Sequence, residues 1–303
     1  MNFLFLIAVL LAVDPLTSTS DKLEDSLKQL KEAESKQDVM LVKKLAPETC
    51  ALARAIAAEP APEEADAKDM WTKHVAYARD VEVYTEYALY NAGVHGSPAV
   101  TVDLLGTLEK QNPKSKYLAG VYGRYFVALT QSGSAAKIPA VAERAVAYFP
   151  NDEDLLLVLA NSAMTRKQTD RALNYSERLI TALSKHAQPE GMSAADWQRK
   201  RASALCRAHW IAGIMHADKT QYYEADKDLR AALPSIGDDP SMKESTLFYL
   251  GVANYQLGSA LRSKAQILEA AKFSEQSAAL KGPLSYQAWR NATVMKTEAS
   301  KVR

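Results

Sequence analysis

The chain has 303 residues, a formal net charge of +1 and 24% charged residues. That balance excludes a basic nucleic-acid arm and an acidic tail, and 48% hydrophobic composition excludes a disordered chain. Only 12 Gly and 12 Pro stand against 50 Ala, which disfavours an all-β fold with its turn residues every ~8–12 positions and favours helix, for which Ala is the best former.

In chain order, residues 1–20 read as a signal peptide. Phe3–Val13 is an unbroken apolar run, too short for a bilayer span of about 20 residues but matching a signal h-region. Asp14 and Pro15 end it, and Ser18-Thr19-Ser20 offers small residues for cleavage before Asp21. Met1-Asn2 supplies no basic n-region, so a buried first helix is the competing reading. The expectation is an exported chain, periplasmic or extracellular and of bacterial type, with no stable membrane span after cleavage.

Residues 21–60 predict a helical hairpin. Leu23, Leu27 and Leu30 have i, i+4, i+7 spacing, and Asp38–Ile56 is the partner helix, with a weak point at Pro47. Ala57–Asp66 is a Pro- and Glu-rich linker. A long helix over Asp66–Ala92 should end at Gly93–Pro98, where Ser97 and Pro98 are an N-cap and first-turn pair; its successor stops at Gln111. Further breaks are expected at 131–135, 149–152, 166–169, 188–192, 218–221, 234–239, 258–259 and 282–283. No segment alternates with strand period. Hairpins of about 35–45 residues in series are the signature of a helical solenoid.

The hairpins share internal landmarks. Leu156-x2-Leu159-Ala160-x2-Ala163 is followed by Ala172 twelve residues after Ala160, then Leu179. Gly213 is followed by Ala225 twelve later, then Leu229 and Ala232. Tyr84-x2-Tyr87-Ala88 precedes Val100, Leu104 and Pro113; Tyr122-Gly123-x2-Phe126 precedes Ala142, Ala145 and Pro150; Leu247-x2-Leu250-Gly251 precedes Ala271, Ala278 and Pro283. A small residue midway along one helix and another early in the next would let the two axes approach closely.

This pattern resembles the tetratricopeptide repeat, W-x2-L-G-x2-Y, then A-x3-F, then P. No single hairpin carries the whole motif; several partial matches hold one phase over 66–283. The resemblance implies an all-α, right-handed α-solenoid of helix-turn-helix hairpins. Residues 284–303 form a C-terminal capping helix, and Trp289 closes the last apolar face. In that family the inner face comes mainly from first helices, which places Tyr117, Arg124, Asn161 and Arg207 there, and with them Trp210, Phe248 and Tyr255. The family's chaperone-tail clamp needs Lys, Arg and Asn on this face. Asn161 matches one element, but Leu157 and Ile211 replace others, so that function is not carried over.

No phosphate loop, HExxH, GxSxG or GxGxxG motif occurs. Cys206, His209 and His216 share a helix, yet i, i+3 and i+10 ligands spread over about 15 Å cannot share one ion. Cys206 and His209 could pair as nucleophile and base, without a visible oxyanion donor or third member. Cys50 and Cys206 read as small buried residues, and Asn174-Tyr175-Ser176 and Asn291-Ala292-Thr293 as chance sequons on helices. Tyr77, Tyr84, Tyr87 and Tyr90 on one helix, with Tyr117, Tyr122 and Tyr125 beyond, serve either packing, with Tyr87 and Tyr122 at core landmarks, or an aromatic groove for a partner. The resulting expectation is a non-enzymatic scaffold with no cofactor or metal that binds a protein or peptide in its concave groove. The alternatives are a self-associating structural protein and a small-ligand or enzyme role at Cys206/His209. Nucleic acid is disfavoured, because phosphate contacts require clustered Lys and Arg.

Overall fold

A computed structural model describes residues 15–302 except Glu190; the apolar run and most of the expected signal peptide, residues 1–14, lie outside the described residues. Among the described residues there are thirteen α-helices and no strand. They form two compact units, divided after Ala135. The first holds α1 (Pro15–Ser35), α2 (Val39–Ala57), α3 (Ala65–His95), α4 (Pro98–Gln111) and α5 (Tyr122–Gln131). The second holds α6 (Ile138–Ala145), α7 (Glu153–Thr165), α8 (Thr169–Lys185), α9 (Ala194–Asp218) and α10 (Tyr222–Ala232), then α11 (Pro240–Ala260), α12 (Lys264–Ala279) and α13 (Ser285–Lys301).

Within each unit consecutive helices pack on one another, and alternate helices also touch. In the first unit these are α1 with α3 and α2 with α4; in the second, α7 with α9, α9 with α11 and α11 with α13. Each unit is therefore a two-layer stack of hairpins. The core lies between the layers. Ala160, Ala172, Ile211, Met215, Leu229 and Leu250 form one cluster across five helices of the second unit.

The expected Ala160–Ala172 pair is present, both fully buried in that cluster. Gly213 differs from expectation. A Cβ there would meet Leu229 Cγ at 2.5 Å and the Leu229 backbone N at 3.1 Å, whereas Ala225 packs with Ala217 and Ala253. Gly251 likewise faces Ala270 and Ser274 rather than Ala271. At Gly213 the bare glycine backbone takes in a larger residue, Leu229, whereas Gly251 does meet small ones.

Five inter-helix turns share one geometry. Gln37, Gly133, Lys167, Thr220 and Arg262 have φ of 55°, 72°, 57°, 59° and 50°. The next residue's N–H reaches back five residues: Asp38 to Ala33, Ser134 to Leu129, Gln168 to Ala163, Gln221 to His216, and Ser263 to Gly258. This left-handed C-terminal cap satisfies carbonyls that a helix end leaves open.

Several expected details shift. Pro47 lies inside an uninterrupted α2. Gly93 lies within α3, where its carbonyl accepts from Thr101 Oγ1 at 2.7 Å, and Ser97 caps α4 without a side-chain bond. The break expected at 258–259 falls at 261–263, because Gly258 is used for close approach to Ile267. Tyr122 is fully buried, but Tyr87 is exposed. Trp289 does not close the last apolar face: it is 59% exposed. The stripe Ala288, Ala292, Met295 and Ala299 seats α13 instead, and residue 289 falls about 100° off that stripe. The start of α13 is held by buried Glu244 of α11, which accepts from Leu284 N at 3.1 Å and Ser285 Oγ at 3.0 Å.

Thr220 is the one β-branched residue among the five left-handed caps, and a branched Cβ is the costliest occupant of that region. Thr220→Gly is expected to stabilise the chain by about 1 kcal/mol, read as a rise in melting temperature of roughly 2–4 °C by calorimetry.

Candidate functional site

α7, α9 and α11 lie side by side in the second unit, and with the α10–α11 connection they bound an open cleft of about 720 Å³. Leu157 of α7, Ile236 of the connection and Met242 of α11 give it apolar lining; Asn161, Arg207 and Asp239 give it polar lining. Sequence spacing explains much of this. Leu157 and Asn161 are i, i+4 on α7, and Asn161 Nδ2 donates back to the Leu157 carbonyl at 2.7 Å. Asp239 is the N-cap of α11, where Pro240 follows at N1 and Oδ1 accepts from Met242 N at 2.9 Å.

Arg207 lines the cleft. Its Nε donates to Asn161 Oδ1 at 2.7 Å, and its guanidinium lies 4.3 Å from the centroid of the Trp210 ring. Trp210 is held in turn, its Nε1 donating to Ser245 Oγ of α11 at 3.0 Å. Burial lowers the Arg207 pKa while nearby Asp239 and Cys206 act against it; an Arg side chain nevertheless stays charged. The planar cation is fixed from one side and braced on an aromatic face, which leaves its terminal nitrogens for a ligand.

The structure joins Asn161, Arg207 and Trp210 of the expected groove set. It does not bring the other four to them. Phe248 is buried, edge-on to Tyr249 with centroids 5.3 Å apart. Tyr255 packs toward Ile267, Ala271 and Met295 of α12 and α13. Tyr117 and Arg124 belong to the first unit. Tyr117 sits in a 3-10 turn, Lys116–Leu118, rather than on a first helix, and Arg124 is exposed on α5. Ser245, Ile236 and Met242 escaped the sequence reading, since no local pattern marks what a following hairpin supplies. The Arg207–Trp210 pair carried a usable signal, because i, i+3 residues are neighbours on a helix.

Cys206 also lines the cleft, but its Sγ donates to the Ala232 carbonyl at 3.4 Å and burial pushes the thiol pKa up. His209 turns to Asp228 of α10, at 2.8 Å, so Cys206 and His209 are not paired with each other. His216 bonds Gln221 at 2.8 Å and lies 3.5 Å from the other oxygen of Asp228. Among the described residues no group of three His, Cys, Asp or Glu side chains is arranged to hold a metal. Cys50 and Cys206 are both free and buried. Among the described residues no helix is long and apolar enough to cross a membrane.

Beside the cleft, the α7 N-terminus gathers charge. Asp152 caps it, accepting from Asp154 N and Leu155 N at 3.0 Å. Lys200 of α9 bridges Glu153 at 3.1 Å and Asp154 at 2.7 Å. Burial, with repulsion from Asp154 and Glu153 added, raises the Asp152 pKa to about 6. Burial would also raise Glu153, but its own backbone N–H and Lys200 outweigh it and hold that carboxyl low.

No protein-family model matches the chain, and comparison with curated proteins gives no match either.

A carboxyl raised on folding contributes stability that is lost as pH rises through the folded pKa, here about 6. Lowering the pH from about 7.5 to 5 is therefore expected to stabilise the second unit by on the order of 1–2 kcal/mol. Below the usual carboxylate range Glu153 is protonated and the trend reverses. Asp152→Asn keeps the cap oxygen and should flatten the rise between pH 7.5 and 5 in denaturant titrations; an unchanged slope would remove Asp152 as its source.

Proposed function

We propose that the chain is a non-enzymatic protein-interaction scaffold that binds a peptide or protein segment in the cleft of α7, α9 and α11. The observation that carries this reading is Arg207, held by Asn161 and stacked on Trp210 in the wall of an open, part-apolar cleft. Arg and Trp are the side chains most enriched at binding hot spots. Part-apolar grooves with fixed polar groups suit an extended segment or a helix.

The proposal extends to the family and the compartment. The two-layer hairpin stacking and recurrent cap geometry support a tetratricopeptide-like solenoid, for which the family resemblance implies a right-handed turn. Two of the caps, Gly133 and Lys167, stand apart by that family's repeat length of about 34 residues. The apolar run Phe3–Val13 supports export.

The test is affinity capture from envelope fractions with the chain and two variants, Trp210→Ala and Arg207→Ala. One partner, recovered with the unaltered chain, should fall at least about tenfold with each variant, as for a hot-spot truncation. Recovery unchanged in both would reject the cleft as the binding site. N-terminal sequencing of the same material should begin at Asp21, and an intact Met1 would reject export.

A further inference from the structure

The outward face of α13 serves neither the cleft nor the core. Ala288, Ala292, Met295 and Ala299 are its buried side, and α11 and α12 are the helices it packs on. Tyr286 and Trp289 lie off that side, 70% and 59% exposed. Their rings stack on each other, with centroids 6.3 Å and planes 28° apart. The other three tryptophans, Trp71, Trp197 and Trp210, are buried or half-buried.

Positive charge gathers on the same helix. Residues 281–303 hold five basic residues, Lys281, Arg290, Lys296, Lys301 and Arg303, against one acidic residue, Glu298. That is a net +4 in a chain that is +1 overall. Glu275 of α12 pairs with Lys296, and buried Glu244 of α11 accepts from Leu284 N; counting both leaves +2. Lys301 pairs with Glu298. Lys281 and Arg290, which bracket the aromatic pair in sequence, are exposed. The Arg290 guanidinium lies 5.9 Å from the Tyr286 centroid, so cation and rings form one patch.

We infer that this patch docks the chain on the surface of a bilayer containing anionic lipid, without spanning it. Trp and Tyr are the side chains that settle at the membrane–water boundary, where an apolar ring and a polar tip are both satisfied. Each Lys or Arg near an anionic leaflet adds to the attraction. The same observations weigh against two other occupants. The exposed face continues through Thr293, Thr297 and Ser300, and Val294 is the one other large apolar residue exposed on α13. That apolar area is too small for the core of a protein interface, which covers about 800 Å² on each partner. Pairing of two copies across the patch would bring two Arg290 guanidiniums into one interface, a like-charge contact. A bilayer requires only that the rings enter shallowly while the cations meet phosphate.

The experiment is flotation of the full chain with vesicles of phosphatidylcholine, alone or with a quarter of phosphatidylglycerol, with tryptophan emission recorded. Binding at low salt is expected to be at least tenfold tighter with phosphatidylglycerol present, and to weaken as salt rises. The emission should shift to the blue, because Trp289 is the exposed one of the four tryptophans. Tyr286→Ala combined with Trp289→Ala should lose the shift and at least tenfold in affinity; both changes fall on exposed side chains and leave the fold intact. Lys281→Gln combined with Arg290→Gln should cost at least tenfold on phosphatidylglycerol and leave the weaker binding to phosphatidylcholine as it was. Trp210→Ala should bind as the unaltered chain does, which separates this face from the cleft. Four results would each overturn the inference. They are no flotation at low salt; equal flotation of the aromatic variant, as attachment through Phe3–Val13 would give; the same blue shift with soluble polyglutamate; and a dimer in light scattering that the aromatic variant abolishes.

Discussion

Close backbone approach at a few glycines is the constraint on which the second unit depends. At Gly213 a Cβ would overlap the Leu229 side chain at 2.5 Å and crowd its backbone N at 3.1 Å, and at Gly251 it would overlap Ser274 Oγ and crowd the Ala270 carbonyl at 3.2 Å. These contacts fix how α9 sits on α10 and α11 on α12. Protein interiors are packed at crystal density, so such a contact is felt by everything built on it. The left-handed caps act at the hairpin ends, turning the chain within three residues so that each hairpin's second helix comes back against its first. Together they set the rotation of each helix about its own axis, which decides which face looks outward.

The cleft inherits that geometry. Arg207 and Trp210 lie on α9, the helix that Gly213 seats, and both reach partners on its neighbours: Asn161 of α7 and Ser245 of α11. Neither bond would survive a large rotation of α9. The site is thus three helices wide, with each side chain positioned by a packing contact elsewhere on its own helix. Rigid elements and locked rotamers are what allow a binding surface to avoid ordering costs when a ligand arrives.

Helix number and the positions of most breaks were legible because apolar spacing and Gly/Pro punctuation are local signals. Gly258 and Gly93 misled because glycine serves two purposes. Each looked like a helix stop, and each is a contact point inside a helix. The true stops at Gln37, Lys167, Thr220 and Arg262 carry no glycine, so their left-handed conformation had no sequence mark. Trp289 misled through size, since the terminal helix docks by a stripe of alanines and leaves its largest residue in solvent, stacked on Tyr286. Of the residues that projection from the expected repeat register picked for a groove, Asn161, Arg207 and Trp210 are the three that touch one another. The projection misplaced Phe248 and Tyr255, whose orientation depends on how α11 and α12 close together. Local pattern gives the periodicity of a face; the neighbour that covers it is a tertiary fact.

The most direct measurement is the unfolding free energy of Gly213→Val, with the near-ultraviolet signal of the indoles recorded alongside. A Cβ at that position meets the Leu229 backbone at 3.1 Å, and backbone cannot rotate away as a side-chain tip can. The expected result is a loss of about 2–3 kcal/mol, from overpacking, with a changed indole signal as α9 shifts and Trp210 leaves Arg207. A variant as stable as the unaltered chain, with the indole signal intact, would contradict the claim that this contact sets the helix and the site it carries.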